Sequence, residues 1–168
     1  NYTVAAYYYP NYHRDAAYQQ RHGKGWTEWE LTKQAIPRFS GHRQPLVPLH
    51  GYQDEADPEV MAQKIQMAKD HGVDCFLLDW YWYDSGPQLE GCLEKGFLQA
   101  KNCEDLSFAL MWANHHLVDI HPVTRATPPG LMKSGIIRPE TFVKMTDLII
   151  ERYFTRENYL RVDGGAYF

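Results

Sequence analysis

Apolar positions along the chain change their period several times, and each change marks an element. Residues 4–9 (VAAYYY) form a short β-prone run stopped by Pro10, which predicts a first strand. Residues 10–56 keep no period and carry Gly23, Gly25, Gly41, Gly51, Pro37, Pro45 and Pro48. They predict a long loop with one short helix over 28–34, and a loop of that length in a compact domain is usually functional. A well-marked helix follows. Asp57 is suited to its N-cap and Pro58 to its first turn, Val60, Met61, Ile65 and Ala68 recur at helical spacing, and Gly72 supplies a left-handed stop. Residues 73–78 (VDCFLL) read as a buried strand running into 79–83.

Gly86 and Pro87 then open an expected second helix, with Leu89, Leu93, Phe97 and Leu98 on its apolar face. Residues 106–112 (LSFALMW) predict a third strand and 121–139 a proline-rich loop. Phe142, Met145, Leu148 and Ile149 predict a third helix over 139–154. The pair Asp163-Gly164 suggests a turn leading into a fourth strand over 159–168. The order is β-α-β-α-β-α-β, which gives parallel strands joined by crossovers. No G-x-G-x-x-G follows the first strand, so a doubly wound nucleotide-binding sheet loses ground to the first part of a (β/α)8 barrel. Such a barrel needs roughly 200 residues or more, and this chain has 168. A half barrel exposes two strand edges, so missing sequence, a partner half or a homo-oligomer is expected to cover them.

Composition then narrows the function. The net charge of −4 gives no electrostatic reason for a nucleic-acid partner. No apolar run is long enough to cross a bilayer, so no membrane insertion is expected, and no signal peptide is visible at the start. The three cysteines, Cys75, Cys92 and Cys103, are odd in number and not spaced as zinc ligands. They fit a reducing, cytoplasmic compartment best, with Cys75 as a small core residue. The unusual feature is 12 Tyr, 5 Trp and 7 Phe, many beside polar residues. Rings next to hydrogen-bonding groups suit sugars, and a large aromatic core is the plain alternative.

In a (β/α)8 barrel, working residues lie at the C-terminal ends of the strands. Here those ends carry Tyr8, Tyr9, Asn11, Tyr12 and His13, then Asp79, Trp80, Tyr81, Trp82 and Tyr83, then Trp112, Asn114, His115 and His116. The first long loop adds Trp26, Glu28, Trp29 and Glu30. Asp79 closes an apolar run, where a carboxylate is costly unless it is bonded or used, and it reads as a sugar acceptor or as a structural acceptor. Glu28 and Glu30 are either a glycosidase-like carboxylate pair or an acidic helix start. Adjacent histidines on a strand face opposite ways, so one of His115 and His116 is expected in the site and metal ligation is not. Trp26, Trp80, Trp82 and Trp112 are stacking platforms or core, with Trp80 and Trp82 on the face opposite Tyr81.

The strings AYYYPNYH (6–13), GKGWTEWE (23–30), PRFSGHRQP (37–45), GYQDEADPEVMAQKI (51–65), DWYWYDSGP (79–87) and ALMWANHH (109–116) resemble the WbsX-type, glycoside hydrolase family 99-like proteins. The resemblance covers nearly the whole chain. It implies a bacterial (β/α)8 barrel acting on complex glycans, oligosaccharides or polysaccharides, with no cofactor and no metal. Better-known relatives are retaining endo-acting α-mannosidases and α-mannanases that work through a 1,2-anhydro sugar, and other members are named glycosyltransferases of polysaccharide biosynthesis. The relatives' acid and base are glutamates late in the barrel, beyond the residues in hand, so Glu28 and Glu30 do not replace them. His116 and Leu117 stand where an acidic residue and a Trp are expected. The resemblance implies Tyr8, Tyr9, Trp26, Glu28, Asp79, Tyr81 and His115 as glycan contacts, and the position of Trp29 in the first loop and of Trp112 and Asn114 at a strand end adds those three to the expected set. Three readings follow: the glycan-binding half of a hydrolase, a glycosyltransferase, and a non-catalytic binding or assembly protein.

Overall fold

The computed structural model describes residues 2–120, 126 and 128–168. Part of the expected proline-rich loop, residues 121–125 and 127, lies outside them. The chain divides into two compact units. The first comprises residues 1–8, 75–88 and 107–168; the second comprises residues 9–74 and 89–106.

The first unit is built on parallel strands. β1 (Ala5–Tyr8) and β4 (Ser107–Trp112) flank β2 (Cys75–Tyr83), with Ala5 opposite Cys75 and Cys75 opposite Ser107. β2 runs straight through the aromatic stretch to Tyr83. A short strand, β3 (Gly86–Gln88), then returns antiparallel to it with Tyr81 opposite Gln88. Gly86 and Pro87 thus open a strand rather than the expected helix. Gly86 takes a φ of 98°, a left-handed turn conformation that suits reversal of the chain.

Register sorts the side chains into two faces, because the strand period is two. Tyr8, Phe76, Leu78, Trp80, Trp82, Phe108, Leu110 and Trp112 share one face. α4 (Pro139–Arg152) and the chain just after it pack there. Tyr153 meets Trp80 and Phe108 edge-on at 6.4 Å each, and Phe142 lies 6.2 Å from Trp112. Trp80 and Trp82 stack at 5.4 Å and are both buried, which makes them core. α4 starts at Pro139 without a side-chain cap of its own. Asp84, from the turn after β2, accepts the Arg138 N–H at 2.9 Å instead, and that backbone bond leads the causes holding its carboxyl below the usual range.

A fourth parallel position does exist, but it precedes the expected turn. Phe108 bridges Tyr159, with the Phe108 N–H on the Asn158 carbonyl at 3.1 Å and the Leu160 N–H on the Phe108 carbonyl at 2.8 Å. Asp163-Gly164 instead closes a small antiparallel hairpin of β7 (Arg161–Val162) and β8 (Gly165–Ala166). The buried Tyr159 hydroxyl accepts the Leu110 N–H and donates to the Tyr167 carbonyl, and burial pushes its pKa up to about 12. A second antiparallel pair joins β5 (Leu117–Val118) to β6 (Leu131–Lys133), and β6 lies in ground expected to be loop.

The second unit holds three α-helices: α1 (Ala16–His22), α2 (Trp29–Lys33) and α3 (Pro58–Asp70). α3 carries the predicted cap, with Asp57 accepting the Glu59 N–H, and Gly72 beyond its end has a φ of 77°. α1 was not expected; Asp15 caps it by accepting from the Ala17 and Tyr18 N–H groups. Where a second long helix was expected there is a π-helical turn (Cys92–Gly96) followed by 3-10 turns (Phe97–Gln99 and Cys103–Asp105). Glu55 is the polar centre of this unit. It is 2% exposed, pairs with Lys64 at 2.5 Å, accepts the Tyr12 N–H at 3.1 Å, and donates its own N–H to the Tyr12 carbonyl at 3.0 Å.

Candidate functional site

The candidate site lies on the face of β2 opposite α4. Its residues alternate Cys75, Leu77, Asp79 and Tyr81, with Tyr7 of β1 beside Leu77 and Met111 of β4 beside Asp79. Tyr7 is 77% exposed and Met111 36%, so this face is open beside Leu77 and Asp79, whereas Tyr81 further along the strand is buried at 6% exposed. An open cleft of about 360 Å3 is lined by Tyr7, Leu77, Leu110, Met111, Trp112, Tyr167 and Phe168.

Asp79 is half-buried here, and burial raises its pKa above the usual carboxylate range. The Tyr81 hydroxyl, 3.4 Å from Oδ2, and the nearby His115 ring act the other way. His115 meets the Tyr81 ring edge-on at 5.8 Å. The loop carrying it is fixed to the sheet, because the Ala113 N–H donates to the Trp80 carbonyl at 2.8 Å. The His115 Nδ1 lies 2.8 Å from the His116 carbonyl, and only a protonated nitrogen bonds a carbonyl. Nδ1 therefore carries the proton in the neutral ring, and Nε2 is the acceptor. His116 takes the opposite tautomer, since its Nδ1 accepts the Gly135 N–H at 2.9 Å. The two neutral rings thus hold opposite tautomers.

Gly135 is a part of this arrangement that sequence reasoning missed. It is buried, and a Cβ there would lie 2.5 Å from the His115 carbonyl carbon and 2.9 Å from the His116 nitrogen. Glycine is what lets the chain after β6 approach the histidine pair. Next to it, Lys133 reaches Gln88 Oε1 at 2.5 Å with its ammonium 5.4 Å from the Tyr83 ring centre. Tyr83 and Gln88 lie on the Asp79 face by alternation and by pairing. The only signal for Lys133 and Gly135 was a basic residue and a glycine inside a segment read as loop.

The other expected contacts fall elsewhere. Tyr8 and Trp112 lie on the α4 side of the sheet, where Tyr8 packs 4.6 Å from Phe76. Asn114 is exposed in the loop after β4. Tyr9, Trp26, Glu28 and Trp29 belong to the second unit. There the Tyr9 hydroxyl accepts from the fully buried Asn11 amide at 2.7 Å. Trp26 stacks on His22 at 4.3 Å. Trp29 stacks on Tyr12 at 4.0 Å and donates its indole N–H to the Gln53 carbonyl at 2.7 Å, so one ring face and its donor are engaged. Glu28 begins α2, and its charge is the second cause, after burial, that raises the Tyr12 pKa. Glu30 pairs with Lys33 at 2.6 Å, as an acidic helix start would.

Comparison with known proteins agrees with this architecture. The family described as Glycosyltransferase WbsX matches residues 4–168. The chain is 33% identical over 113 residues to the uncharacterized protein WxcX of Xanthomonas campestris pv. campestris, in two strains. That match takes in 67% of the chain and 16% of WxcX, so the chain spans about a sixth of that relative's length. Among solved structures, the GH99 endo-α-mannosidase from Bacteroides thetaiotaomicron aligns with a TM-score of 0.50 at 15% identity, over 96% of this chain and 39% of that one. This likeness bears out the expected fold, a portion of a (β/α)8 barrel. Over nearly its whole length, then, the chain belongs to the carbohydrate-active WbsX family.

Proposed function

We propose that this chain is the glycan-binding portion of a carbohydrate-active protein, with Asp79, Tyr81 and His115 contacting one saccharide unit. What carries the reading is the open face of β2, where a half-buried carboxylate sits beside a tyrosine and an oriented imidazole. A carboxylate accepts from vicinal sugar hydroxyls and a neutral imidazole Nε2 accepts one more, while the hydroxyl of the buried Tyr81 is directed at the carboxylate beside them. Tyr9, Trp26, Glu28, Trp29, Asn114 and the cleft-lining Trp112 are proposed as further contacts, whereas Tyr8 serves the sheet's packing. The whole protein is then an endo-acting, retaining hydrolase of α-mannan or a related polysaccharide, whose acid and base lie outside this chain. The family's description favours a second reading, a polysaccharide-building glycosyltransferase.

Calorimetric titration of the purified protein with α-mannose oligosaccharides tests the binding role. Asp79→Asn is expected to weaken affinity roughly 10- to 100-fold, the range for losing a hydrogen bond to a charged group. Asp79 accepts best when ionised, and burial has raised its pKa. Affinity is therefore lost as pH falls, and the loss begins above the ordinary aspartate value of about 4. Unchanged affinity in Asp79→Asn, or affinity flat down to acid pH, would reject the site. Turnover that requires a nucleotide-activated sugar selects the transferase, and release of free saccharide by the whole protein selects the hydrolase.

A further inference from the structure

The stretch between α2 and α3 differs from the rest of the chain in charge. Residues 31–53 contain Lys33, Arg38 and Arg43 and no Asp or Glu. The chain has 17 Lys and Arg against 21 Asp and Glu, so the other positions hold 14 cations against 21 acids. Without acids, the segment carries a net positive charge in an acidic protein. Arg38 and Arg43 are exposed, and among the described residues neither takes part in an ion pair.

The same stretch turns large apolar side chains outward. Ile36 is 67% exposed, Phe39 69%, Val47 67% and Leu49 93%. They are placed there by defined turns. The His42 N–H bonds the Phe39 carbonyl at 3.1 Å with Gly41 at a φ of 81°, the conformation that a type II turn demands of its third residue. The His42 ring stacks under Phe39 at 4.5 Å, and its Nδ1 accepts the Arg38 N–H. A second turn, closed by the Gly51 N–H on the Pro48 carbonyl at 2.9 Å, puts Leu49 at its corner. The Tyr52 hydroxyl ties back to the Leu46 carbonyl between them.

One exposed apolar residue needs no explanation, but several on ordered turn tips among cations do. A soluble glycan would call for ring faces and hydrogen-bonding side chains, and these tips are mostly aliphatic. A bilayer interface takes separate apolar tips to a shallow depth while neighbouring cations meet lipid phosphates. We propose that residues 31–53 form a peripheral docking surface for an anionic membrane, with Phe39 and Leu49 entering the interface and Arg38 and Arg43 on the headgroups. The protein would lie on the bilayer and not span it; no helix among the described residues is long and apolar enough to cross one. This inference is independent of the glycan site.

Co-sedimentation of the purified protein with vesicles tests it. Vesicles containing phosphatidylglycerol are expected to bind, vesicles of phosphatidylcholine alone to bind far less, and salt to weaken the binding. R38Q/R43Q is expected to lower affinity for the anionic vesicles roughly 30-fold, the product of two surface cations. F39S/L49S is expected to lower it by roughly tenfold or more through lost apolar burial. All four positions are exposed, so melting curves of both variants should match the parent and exclude misfolding. Absent binding, equal binding to neutral vesicles, or binding that both variants retain overturns the proposal. Tighter binding to soluble polyglutamate than to the vesicles also overturns it, in favour of an acidic protein partner.

Discussion

Gly96→Ala is expected to cost the second unit about 3 kcal/mol or more, at the upper end for forcing one carbon into a packed interior. An alanine Cβ at this position would lie 2.0 Å from the Glu55 carbonyl oxygen and 2.7 Å from Met61 Cγ. Neither neighbour can yield cheaply. Met61 is fully buried, and Glu55 is fastened by its own N–H, its carboxylate and Lys64. The φ of Gly96 is −87°, so the penalty is steric and not conformational. Gly72→Ala is the informative control. Its φ is 77° but nothing lies within 4 Å of an added Cβ, so only the left-handed backbone penalty of about 1 kcal/mol applies. Urea denaturation of both variants checks this. Equal midpoints would show that the contact between Gly96 and Glu55 is not what fixes the unit.

The second large effect concerns Gly135. Gly135→Ala is expected to abolish most saccharide affinity while touching no sugar itself, because the added methyl would displace the His115 carbonyl. It is a positioning residue in this account. The His116 bond to the Gly135 N–H would open, and the His115 ring would lose its edge-on contact with Tyr81. Calorimetry on Gly135→Ala, His115→Ala and the double variant separates the roles. If both changes act through the imidazole, the double variant is scarcely weaker than either single one. Losses that add would mean that Gly135 serves the fold alone. The histidine ring resonances provide a second readout, since they should shift in Gly135→Ala even without ligand.

The parts of this protein legible in its sequence were those decided locally. Asp57 and Pro58 start α3 because a cap and a first-turn proline need only their immediate neighbours. β2 and β4 were legible because apolar runs between turn residues suit strands covered by other elements. Elements decided by tertiary approach were not legible. Leu89, Leu93, Phe97 and Leu98 carry a helical period, yet the chain there makes π and 3-10 turns. Gly91 lies so close to His13 that a Cβ would be 2.6 Å from the imidazole, and Gly96 lies against Glu55. Such approaches pair residues tens of positions apart and leave no local pattern. α1 escaped notice because only Tyr18 of its residues is buried, which leaves no apolar stripe. β5 and β6 are too short for alternation to register. For the proposed site, strand-end position alone was enough to bring Asp79, Tyr81 and His115 together as candidates. Gly135 and Lys133 were not legible, because the segment that delivers them was read as loop.

The cysteines carry one more implication. Cys75 lies in the parallel strands of the first unit and Cys92 in the π-helical turn of the second, and both are fully buried. Burial also pushes the Cys92 thiol well above its ordinary pKa. Neither sulfur meets a reagent until its own surroundings open, whereas Cys103 is partly accessible from the start. With Cys103 silenced, each unit holds one built-in clock, and the rate of alkylation at Cys75 or Cys92 times how often that half of the molecule breathes.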